Sequence, residues 1–418
     1  MRRERAYRFR IYPDAGQERL LRRTVGSCRL VYNLALEQRR AFGRRGRSIT
    51  YNSAANELKD LKVEAEFLRE VPHHCLQQAL RDLDTAFVNF FEGRAAYPKP
   101  RKKFQRESCR FPDMAQVVIG RRVLRLPKLG AVKTVMHRPL RGKLNSITIA
   151  KDGGQWFAAV QVTGRVKEPA ARAVAEVGVD QNIVSGIVTS ESEFLAMPRT
   201  SEAEQRKLSR LQKAHARKKR GSKNRDRSRR AIEAFHAKIR RRRRDGAEKA
   251  SRRLADAYTH IAMEKLALGN MTASAAGTVE EPGRMVAQKA GLNRALLDVA
   301  PGLVRRLTTY KAAWAGGVCV AVDPRYTSQR CSRCGKHPQD DEATKDLPHG
   351  RISRDEFVCP LCGFKCHADV NAARNILALG RVIWTANDNA VGTSASACGG
   401  LRGRRAGKQE QRSRQKAA

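Results

Sequence analysis

Two short cysteine motifs constrain the fold of this chain more than any other feature. They are Cys331-Ser-Arg-Cys334-Gly and Cys359-Pro-Leu-Cys362-Gly, with 24 residues between the inner cysteines. Each motif can present two thiolates from one tight turn, and four thiolates complete a closed tetrahedral Zn²⁺ site. The pattern therefore predicts a structural zinc ribbon in which Cys331, Cys334, Cys359 and Cys362 bind one ion.

Other uses of the cysteines fit the sequence less well. Cys366 and His367 could compete as ligands, but they fall outside the paired spacing. A redox role would need one disulfide, whereas two matching pairs supply four ligands. Five of the ten cysteines are scattered singly along the chain, and the other five lie between Cys331 and Cys366. This clustering indicates metal binding in a reducing compartment rather than a disulfide scaffold.

The charge of the chain narrows the class of its partner. Over 418 residues, 84 Lys and Arg stand against 41 Asp and Glu, a net charge of +43. So many positive charges repel one another unless a polyanion screens them. This favours a long nucleic acid as the binding partner. The amino terminus lacks the apolar stretch of a signal peptide, and the longest apolar runs are too short to span a bilayer. We therefore expect a cytoplasmic protein with no membrane partner.

The first part of the chain predicts a helical unit inserted into a sheet. Residues 6–11 alternate apolar and basic residues, as a half-buried strand does. Asp14 and Gln17 resemble a helix-capping box before one amphipathic helix, and Gly93 supplies the stop of a later one. The pattern of residues 98–164 then predicts a small antiparallel barrel or sheet, which the first strand would complete.

The most basic segment of the chain is residues 206–244. It carries 19 Lys and Arg against two acidic residues, a local charge of +17. Its sparse apolar residues suffice for one side of a helical hairpin broken at Gly221 and Ser222. A charge run is commonly only a solvated face, but a charge this concentrated favours contact with phosphates.

Three acidic residues stand at the ends of predicted buried elements. Asp180 and Glu264 each follow an apolar run, and Asp369 begins a helix. Taken singly, such a residue is commonly a helix cap or an ion-pair partner, since a buried carboxylate needs a partner. Spacing alone cannot gather the three. It permits two strands and a helix to converge on two Mg²⁺ ions about 3.5–4 Å apart, which would activate water and stabilise the leaving oxygen of a phosphodiester.

Ordered motifs along the chain carry a family resemblance. The second half has Val177-Gly-Val-Asp180, Met263-Glu264-Lys-Leu266, the two cysteine motifs and His367-Ala-Asp369 with its helix. The first half has, among others, Tyr7-Arg-Phe-Arg-Ile-Tyr-Pro13 and Phe90-Phe-Glu-Gly93. From about residue 5 to residue 380 the chain resembles the TnpB (OrfB) proteins of insertion sequences, which are similar to compact type V CRISPR effectors.

The resemblance implies a multidomain α/β fold. Its parts would be a RuvC nuclease domain of RNase H-like fold, a β-barrel wedge domain, a helical recognition domain and a zinc ribbon. The implied boundaries are 1–14 for the first wedge strand, 15–95 for the helical recognition domain, 96–168 for the wedge barrel, 169–200, 254–325 and 367–385 for the nuclease domain, 201–253 for a basic helical insertion, 326–366 for the zinc ribbon and 386–418 for a basic, disordered tail.

The resemblance also implies an activity. Asp180, Glu264 and Asp369 match the family's metal-binding catalytic residues, which would hold two Mg²⁺ ions, with Mn²⁺ as an alternative. The expected enzyme is an RNA-guided DNA endonuclease in the cytoplasm of a bacterium or archaeon, at the nucleoid. A noncoding guide RNA would pair with double-stranded target DNA beside a short motif, and the single RuvC site would hydrolyse phosphodiesters. The oligomeric state is left open.

One difference from the family pattern supports an alternative function. Many members place Gly two residues after the first catalytic Asp, whereas this chain has Asp180-Gln181-Asn182. The alternative is a nuclease-inactive RNA-guided repressor or transposon-regulatory protein. A transposase that joins DNA ends is a third hypothesis, with no supporting sequence feature. Because all three carboxylates are present, the active nuclease is favoured.

Overall fold

Helical and β-rich segments alternate along the polypeptide. The computed structural model describes residues 2–43, 49–278 and 280–395, with side chains as far as residue 386. Within these ranges the chain divides into two compact units. The first unit contains residues up to 168 together with 206–238, and the second contains 169–205 together with the residues from 239 onward.

The regular elements have the following bounds. The strands are β1 (Arg2–Tyr12), β2 (Ser108–Phe111), β3 (Val118–Ile119), β4 (Val123–Leu126), β5 (Gly130–Val135), β6 (Lys143–Asp152), β7 (Gln155–Arg165), β8 (Glu176–Asn182), β9 (Gly186–Thr189), β10 (Phe194–Leu195), β11 (His260–Glu264), β12 (Val318–Val322), β13 (Glu356–Val358) and β14 (Lys365–His367). The helices are α1 (Ala15–Gly43), α2 (Tyr51–Glu64), α3 (His73–Phe91), α4 (Glu202–Ala216), α5 (Lys223–Ala257), α6 (Leu268–Met271), α7 (Val286–Val299), α8 (Pro301–Trp314) and α9 (Ala368–Ala395).

A seven-stranded antiparallel sheet forms the centre of the first unit, in the order β2-β6-β7-β1-β5-β4-β3. Strand β1 pairs with β7 from Arg2 to Ile11 and with β5 at its end, so the amino-terminal strand is internal to the sheet. Its side chains alternate as the sequence predicts, with Phe9 buried and Arg8 exposed. Within the described residues no strand ladder joins the edge strands β2 and β3, so the predicted barrel is not confirmed.

Helices α1 and α3 pack on each other and share one core with this sheet. The predicted capping box opens α1: the Gln17 amide donates to Asp14 Oδ1 at 2.8 Å, and the Asp14 amide donates to Gln17 Oε1 at 3.2 Å. The Gln17 side chain also donates to the Ala131 carbonyl at 2.9 Å, which ties the start of α1 to β5. Gly93 follows α3 with a φ of +69°, the conformation that ends a helix.

The basic segment forms a helical hairpin. Helix α4 ends before Gly221, which has a φ of +81°, and α5 begins directly after Ser222. His215 Nδ1 lies 2.8 Å from Ser228 Oγ across the turn, and these contacts belong to the first unit. The sequence therefore placed the break of this hairpin correctly.

The second unit contains a five-stranded sheet in the order β10-β9-β8-β11-β12. Strands β8, β11 and β12 run parallel, whereas β8, β9 and β10 are connected antiparallel. Val177 pairs with Ile261, and Val179 pairs with Met263. Strands β8 and β11 are buried at successive positions because helices cover both faces of the parallel part of the sheet.

The two faces of this sheet have separate cores. Odd-numbered residues of β8 and β11, such as Val179 and Met263, pack with residues of α5, α7 and α8. Ala262 points to the other face and packs with Ile376, Leu377 and Trp384 of α9. Because strand side chains alternate, Gly178, Asp180 and Glu264 belong to the α9 face.

Helix α9 continues to Ala395, whereas the sequence analysis placed the start of a disordered tail at residue 386. The remaining residues of that predicted tail, 396–418, lie outside the described residues. In the part of the chain that the structure describes, no helix combines the length and apolar character needed to cross a bilayer.

Candidate active site

Asp180, Glu264 and Asp369 come together at one end of the second sheet. Asp180 and Glu264 lie near the ends of the neighbouring parallel strands β8 and β11, and Asp369 lies in the first turn of α9. All three side chains are buried. The three carboxylates are near enough for the charges of Glu264 and Asp369 to act on Asp180. Within the described residues, however, the four motif cysteines are the group of possible metal ligands whose atoms all lie within 4.8 Å of one another.

A glycine allows α9 to approach β8 closely. A Cβ atom on Gly178 would overlap the Ala373 carbonyl oxygen and lie 2.6 Å from the Leu377 amide nitrogen. Gly178 precedes Asp180 by two residues and shares its face of the strand. The absent side chain therefore allows α9, which carries Asp369, to pack closely on the face of β8 that carries Asp180.

The environment of Asp180 disfavours the charged form of its carboxyl. Burial, followed by the negative charges of Glu264 and Asp369, raises the pKa of its carboxyl to about 7. The Asn182 side chain and the positive charge of Arg351 act in the opposite direction. Three buried carboxylates with one nearby guanidinium leave an excess of negative charge that a hard cation would neutralise.

Glu264 is held by a residue that the sequence did not identify. The Thr327 hydroxyl donates to Glu264 Oε1 at 2.7 Å, and both residues are buried. Burial raises the pKa of Glu264, while the hydrogen bond from Thr327 lowers it. The threonine therefore fixes one oxygen of this carboxylate.

The turn between β8 and β9 supplies hydrogen bonds to two of the carboxylates. Asn182 Oδ1 accepts from the amides of Val184 and Ser185 at 2.9 and 2.7 Å, which closes the turn. Asn182 Nδ2 donates to Asp180 Oδ2 at 3.3 Å, and Ser185 Oγ donates to Asp369 Oδ2 at 2.9 Å. Asn182 thus builds the turn and contacts the site.

Arg351 is the cationic residue of the site. Its Nη2 lies 3.2 Å from Asp369 Oδ1 and donates to the Arg354 carbonyl at 2.9 Å. The Arg351 side chain is 28% exposed, whereas the Asp369 side chain is 4% exposed. Sequence reasoning missed Arg351, Ser185 and Thr327, because their contacts join residues 18, 184 and 63 positions apart.

The four motif cysteines form a second site. Their Sγ atoms all lie within 4.8 Å of one another, and the Cys331–Cys362 and Cys334–Cys359 separations are both 3.8 Å. Tetrahedral Zn²⁺ with Zn–S bonds of about 2.3 Å requires sulfur separations of about 3.8 Å. The cluster therefore has the donors and the dimensions of a zinc site. Cys366 and His367 do not belong to it.

The two cysteine turns have matching backbones. The Gly335 amide donates to the Cys331 carbonyl at 2.9 Å, and the Gly363 amide donates to the Cys359 carbonyl at 3.0 Å. The two glycines have φ values of +71° and +69°, where a side chain would be strained. This repetition explains why a glycine follows each cysteine pair.

Two asparagines of α9 connect the cysteine site to the carboxylate site. Asn371 Nδ2 donates to the Arg330 carbonyl at 2.7 Å, and its Oδ1 accepts from the Ser332 amide at 2.8 Å. Asn375 Nδ2 donates to the carbonyls of Thr327 and Arg330 at 2.8 and 2.7 Å. The segment that carries both Thr327 and Cys331 is therefore fastened to the helix that carries Asp369.

Three family models match segments of the chain. The OrfB_IS605 model, described as "Probable transposase", matches residues 159–275, and a "Helix-turn-helix domain" model of the same group matches residues 1–47. A "Cas12f1-like, TNB domain" model matches residues 302–376. Over 386 residues the chain is 35% identical to "Putative RNA-guided DNA endonuclease InsQ" of Escherichia coli (strain K12), which covers 92% of this chain and 94% of that protein. The chain belongs to the TnpB (OrfB) family.

Two further proteins extend this comparison. A "Putative RNA-guided DNA endonuclease" of Streptomyces pristinaespiralis is 33% identical over 412 residues, 96% of this chain and 93% of that protein. The "CRISPR-associated endodeoxyribonuclease Cas12f1" of Sulfoacidibacillus thermotolerans is 46% identical over 68 residues, 16% of this chain and 14% of that protein. The segments matched by the family models contain Asp180, Glu264 and Asp369 and all four cysteines of the cluster.

Proposed function

We propose that this TnpB-family chain is an RNA-guided DNA endonuclease. A noncoding guide RNA would pair with one strand of the target DNA beside a short motif, and one carboxylate site would hydrolyse phosphodiester bonds. The observation that carries the proposal is the convergence of Asp180, Glu264 and Asp369 in a chain 35% identical to a relative of that name. The excess of positive charge supports it, because the protein would grip the nucleic acids through their phosphates.

The domain assignment is part of the proposal. The order β10-β9-β8-β11-β12, with an antiparallel β8–β9–β10 part and parallel β8, β11 and β12, supports a RuvC domain of RNase H-like fold built from residues 169–200, 254–325 and 367–385. The first unit would supply the wedge and helical recognition domains. The protein would bind its double-stranded target DNA in the cytoplasm of a bacterium or archaeon.

Asp180, Glu264 and Asp369 are the catalytic residues of this proposal and would hold two Mg²⁺ ions, with Mn²⁺ as an alternative. Bound Mg²⁺ supplies a Lewis acid for the attacking water and the leaving oxygen. The chain's own residues orient the donors: Thr327 holds Glu264, and Ser185 holds Asp369. Loss of the Asp180 proton completes the donor set, since the pKa of this residue lies near 7.

Zn²⁺ at Cys331, Cys334, Cys359 and Cys362 would have a structural role. Four thiolates close the coordination sphere and leave no position for a substrate. Through Asn371 and Asn375, the first cysteine turn fixes the segment that ends at Thr327. We infer that the zinc site keeps the carboxylates in position and does not take part in the reaction.

The deciding experiment is plasmid cleavage with a programmed guide RNA. The wild-type chain with Mg²⁺ is expected to cut the matched plasmid, and Asp180→Ala is expected to bind guide and target without cutting. Cleavage retained by Asp180→Ala would refute the assignment of the carboxylates. Guide-dependent binding without cleavage by the wild-type chain would instead support the nuclease-inactive repressor.

A further inference from the structure

Two arginines near the end of the basic segment bind carboxylates of the second unit. The Arg242 guanidinium donates to both carboxylate oxygens of Glu204, at 2.9 and 2.7 Å, and to the Arg199 carbonyl at 2.8 Å. The neighbouring Arg243 forms an ion pair with Asp298, near the end of α7. All of these residues belong to the second unit. The charges of these two arginines are therefore compensated within the protein.

These contacts join α4 and α5 at one end of the helical hairpin, which we call the hairpin base (residues 199–204 and 242–243). The bidentate arginine–glutamate pair fixes the orientation of the two helices as well as their separation. Helix α5 also lies close to the segment that leads into α4, because a Cβ atom on Gly246 would be 2.4 Å from Pro198 Cδ. The hairpin base is therefore a closely packed part of the second unit.

Asp298 connects the hairpin base to α7. Its Oδ2 accepts from the Thr200 amide at 3.2 Å, and its Oδ1 accepts from the Thr200 hydroxyl at 3.1 Å and from Arg243. The Asp298 side chain is only 10% exposed. Loss of this carboxylate would leave an amide, a hydroxyl and a guanidinium without their shared acceptor at a poorly hydrated place, which is costly. Asp298 therefore determines how the hairpin base lies against α7.

The end of α7 supports the strand that carries Asp180. Val299, the residue after Asp298, is buried in the core that contains the apolar residues of β8. The Pro301 carbonyl accepts from Gln181 Nε2 at 3.4 Å, and Gln181 is a buried residue that directly follows Asp180. Because strand side chains alternate, these contacts support β8 from the face opposite to the Asp180 carboxylate.

The connection from α7 to α8 has little freedom to adjust. Ala300, between the two helices, has a φ of 53°, in the left-handed region that non-glycine residues seldom adopt. Pro301 begins α8 with a φ that its ring fixes, and both Val299 and Pro301 are buried. A shift at Asp298 would therefore reach Pro301 instead of being absorbed between the two helices.

We propose that Asp298 is a positioning residue of the nuclease, which holds the end of β8 so that the Asp180 carboxylate is placed for metal binding. It acts through the hairpin base and the α7–α8 connection, and not by contact with the metal or the DNA. Catalytic groups tolerate little displacement, since a shift of about 1 Å caused by a distant mutation can cost about 100-fold in rate. This inference rests on the proposed function.

The test compares two Asp→Asn variants of the full-length chain. Asp298→Asn keeps the size of the side chain but removes its charge and one acceptor oxygen. Asp245→Asn is the matched control, because Asp245 lies on α5 with its side chain 62% exposed and pairs with Lys249 one turn along the helix. Three quantities are measured: the Mn²⁺ affinity of the guide-free chain by electron paramagnetic resonance, the affinity for guide RNA, and the single-turnover cleavage rate over a range of Mg²⁺ concentrations.

Asp298→Asn is expected to bind Mn²⁺ about tenfold more weakly, the lower end of the loss for residues that orient metal ligands. Cleavage should slow by about tenfold as well, at an unchanged affinity for guide RNA. Asp298→Glu retains a carboxylate and should recover part of the loss, and Asp245→Asn should match the wild type in all three measurements. A lower unfolding temperature of Asp298→Asn with wild-type Mn²⁺ affinity and cleavage would show a structural role only and would overturn the proposal.

A second variant tests the route through β8. Gln181→Met has a side chain of similar size that cannot donate to the Pro301 carbonyl, so it should also weaken Mn²⁺ binding. Because both residues act through the α7–α8 connection, the double variant with Asp298→Asn should lose less than the product of the two single losses. Losses that multiply would contradict this route. A wild-type chain that binds Mn²⁺ but does not cut would refute the proposed nuclease alone, and the Mn²⁺ affinities would still decide the role of Asp298.

Discussion

Gly178 of β8 lies directly against Ala373 of α9, with no space for a side chain between the strand and the helix. This contact packs α9, which carries Asp369 in its first turn, against the face of β8 that carries Asp180 two residues along the strand. The geometry of the proposed catalytic site therefore depends on a residue that has no functional group.

Gly178→Ala is expected to destabilise the second unit by about 3 kcal/mol or more, because the new methyl group would overlap backbone atoms that cannot move independently. Thermal unfolding followed by circular dichroism measures the loss. Gly291→Ala is the matched control: Gly291 lies within α7 with nothing within 4 Å of the added Cβ, so a stabilisation of about 0.5–1 kcal/mol is expected. A neutral Gly178→Ala would show that α9 can shift away from the sheet.

Ser185→Ala should weaken metal binding, because it removes the hydrogen bond that orients the Asp369 carboxylate. Loss of such an outer contact costs about 10–100-fold in metal affinity. Mn²⁺ binding by electron paramagnetic resonance and the Mg²⁺ dependence of cleavage would both report the change. Ser185→Thr retains a hydroxyl and should restore most of the affinity. If both variants bind Mn²⁺ as tightly as the wild type, the serine has no positioning role.

The metal-free chain should lose stability as the pH rises from about 4 to about 7. The pKa of Asp180 is raised from its ordinary value of 3.8 to about 7, so the folded state holds a proton that the unfolded state has released in this range. Mg²⁺ affinity should rise over the same pH interval, since the ion competes with that proton. Chemical unfolding at several pH values tests the first effect, and Asp180→Asn should reduce the slope. An unchanged slope in that variant would contradict the raised pKa.

Cys334→Ser should lower the zinc content below one ion per chain and loosen the segment that Asn371 and Asn375 fasten to α9. Cleavage should decline with it. Cys366→Ser is the control, because Cys366 lies outside the cluster, and it should retain one zinc ion. Elemental analysis of the two purified variants distinguishes these outcomes, and a loss of zinc from Cys366→Ser would show a different ligand set.

Local features of the sequence predicted much of the fold. The capping box at Asp14 and Gln17, the break at Gly221 and the strand alternation around Phe9 depend on residues close in the chain, and each is present. Whether the first sheet closes into the predicted barrel could not be decided in the same way, because closure of a sheet depends on pairing between strands far apart in sequence.

Asn182 shows where sequence comparison alone was insufficient. As a replacement for the common glycine it raised the alternative of an impaired site, yet its side chain closes the β8–β9 turn and donates to Asp180. The sequence identifies residue 182 as asparagine, but only the structure shows that its side-chain amide donates to Asp180.

The sequence by itself determined the chemical groups of this protein: four thiols in two matched turns, three carboxylates at the ends of apolar runs and an excess of 43 positive charges. Tertiary structure alone decided that the charges of Glu264 and Asp369 act on Asp180, that Ser185 and Arg351 contact Asp369, and that Thr327 contacts Glu264. The physical reason is that periodicity and turn chemistry act over a few residues, whereas these contacts depend on strand pairing and on the close approach of α9 at Gly178.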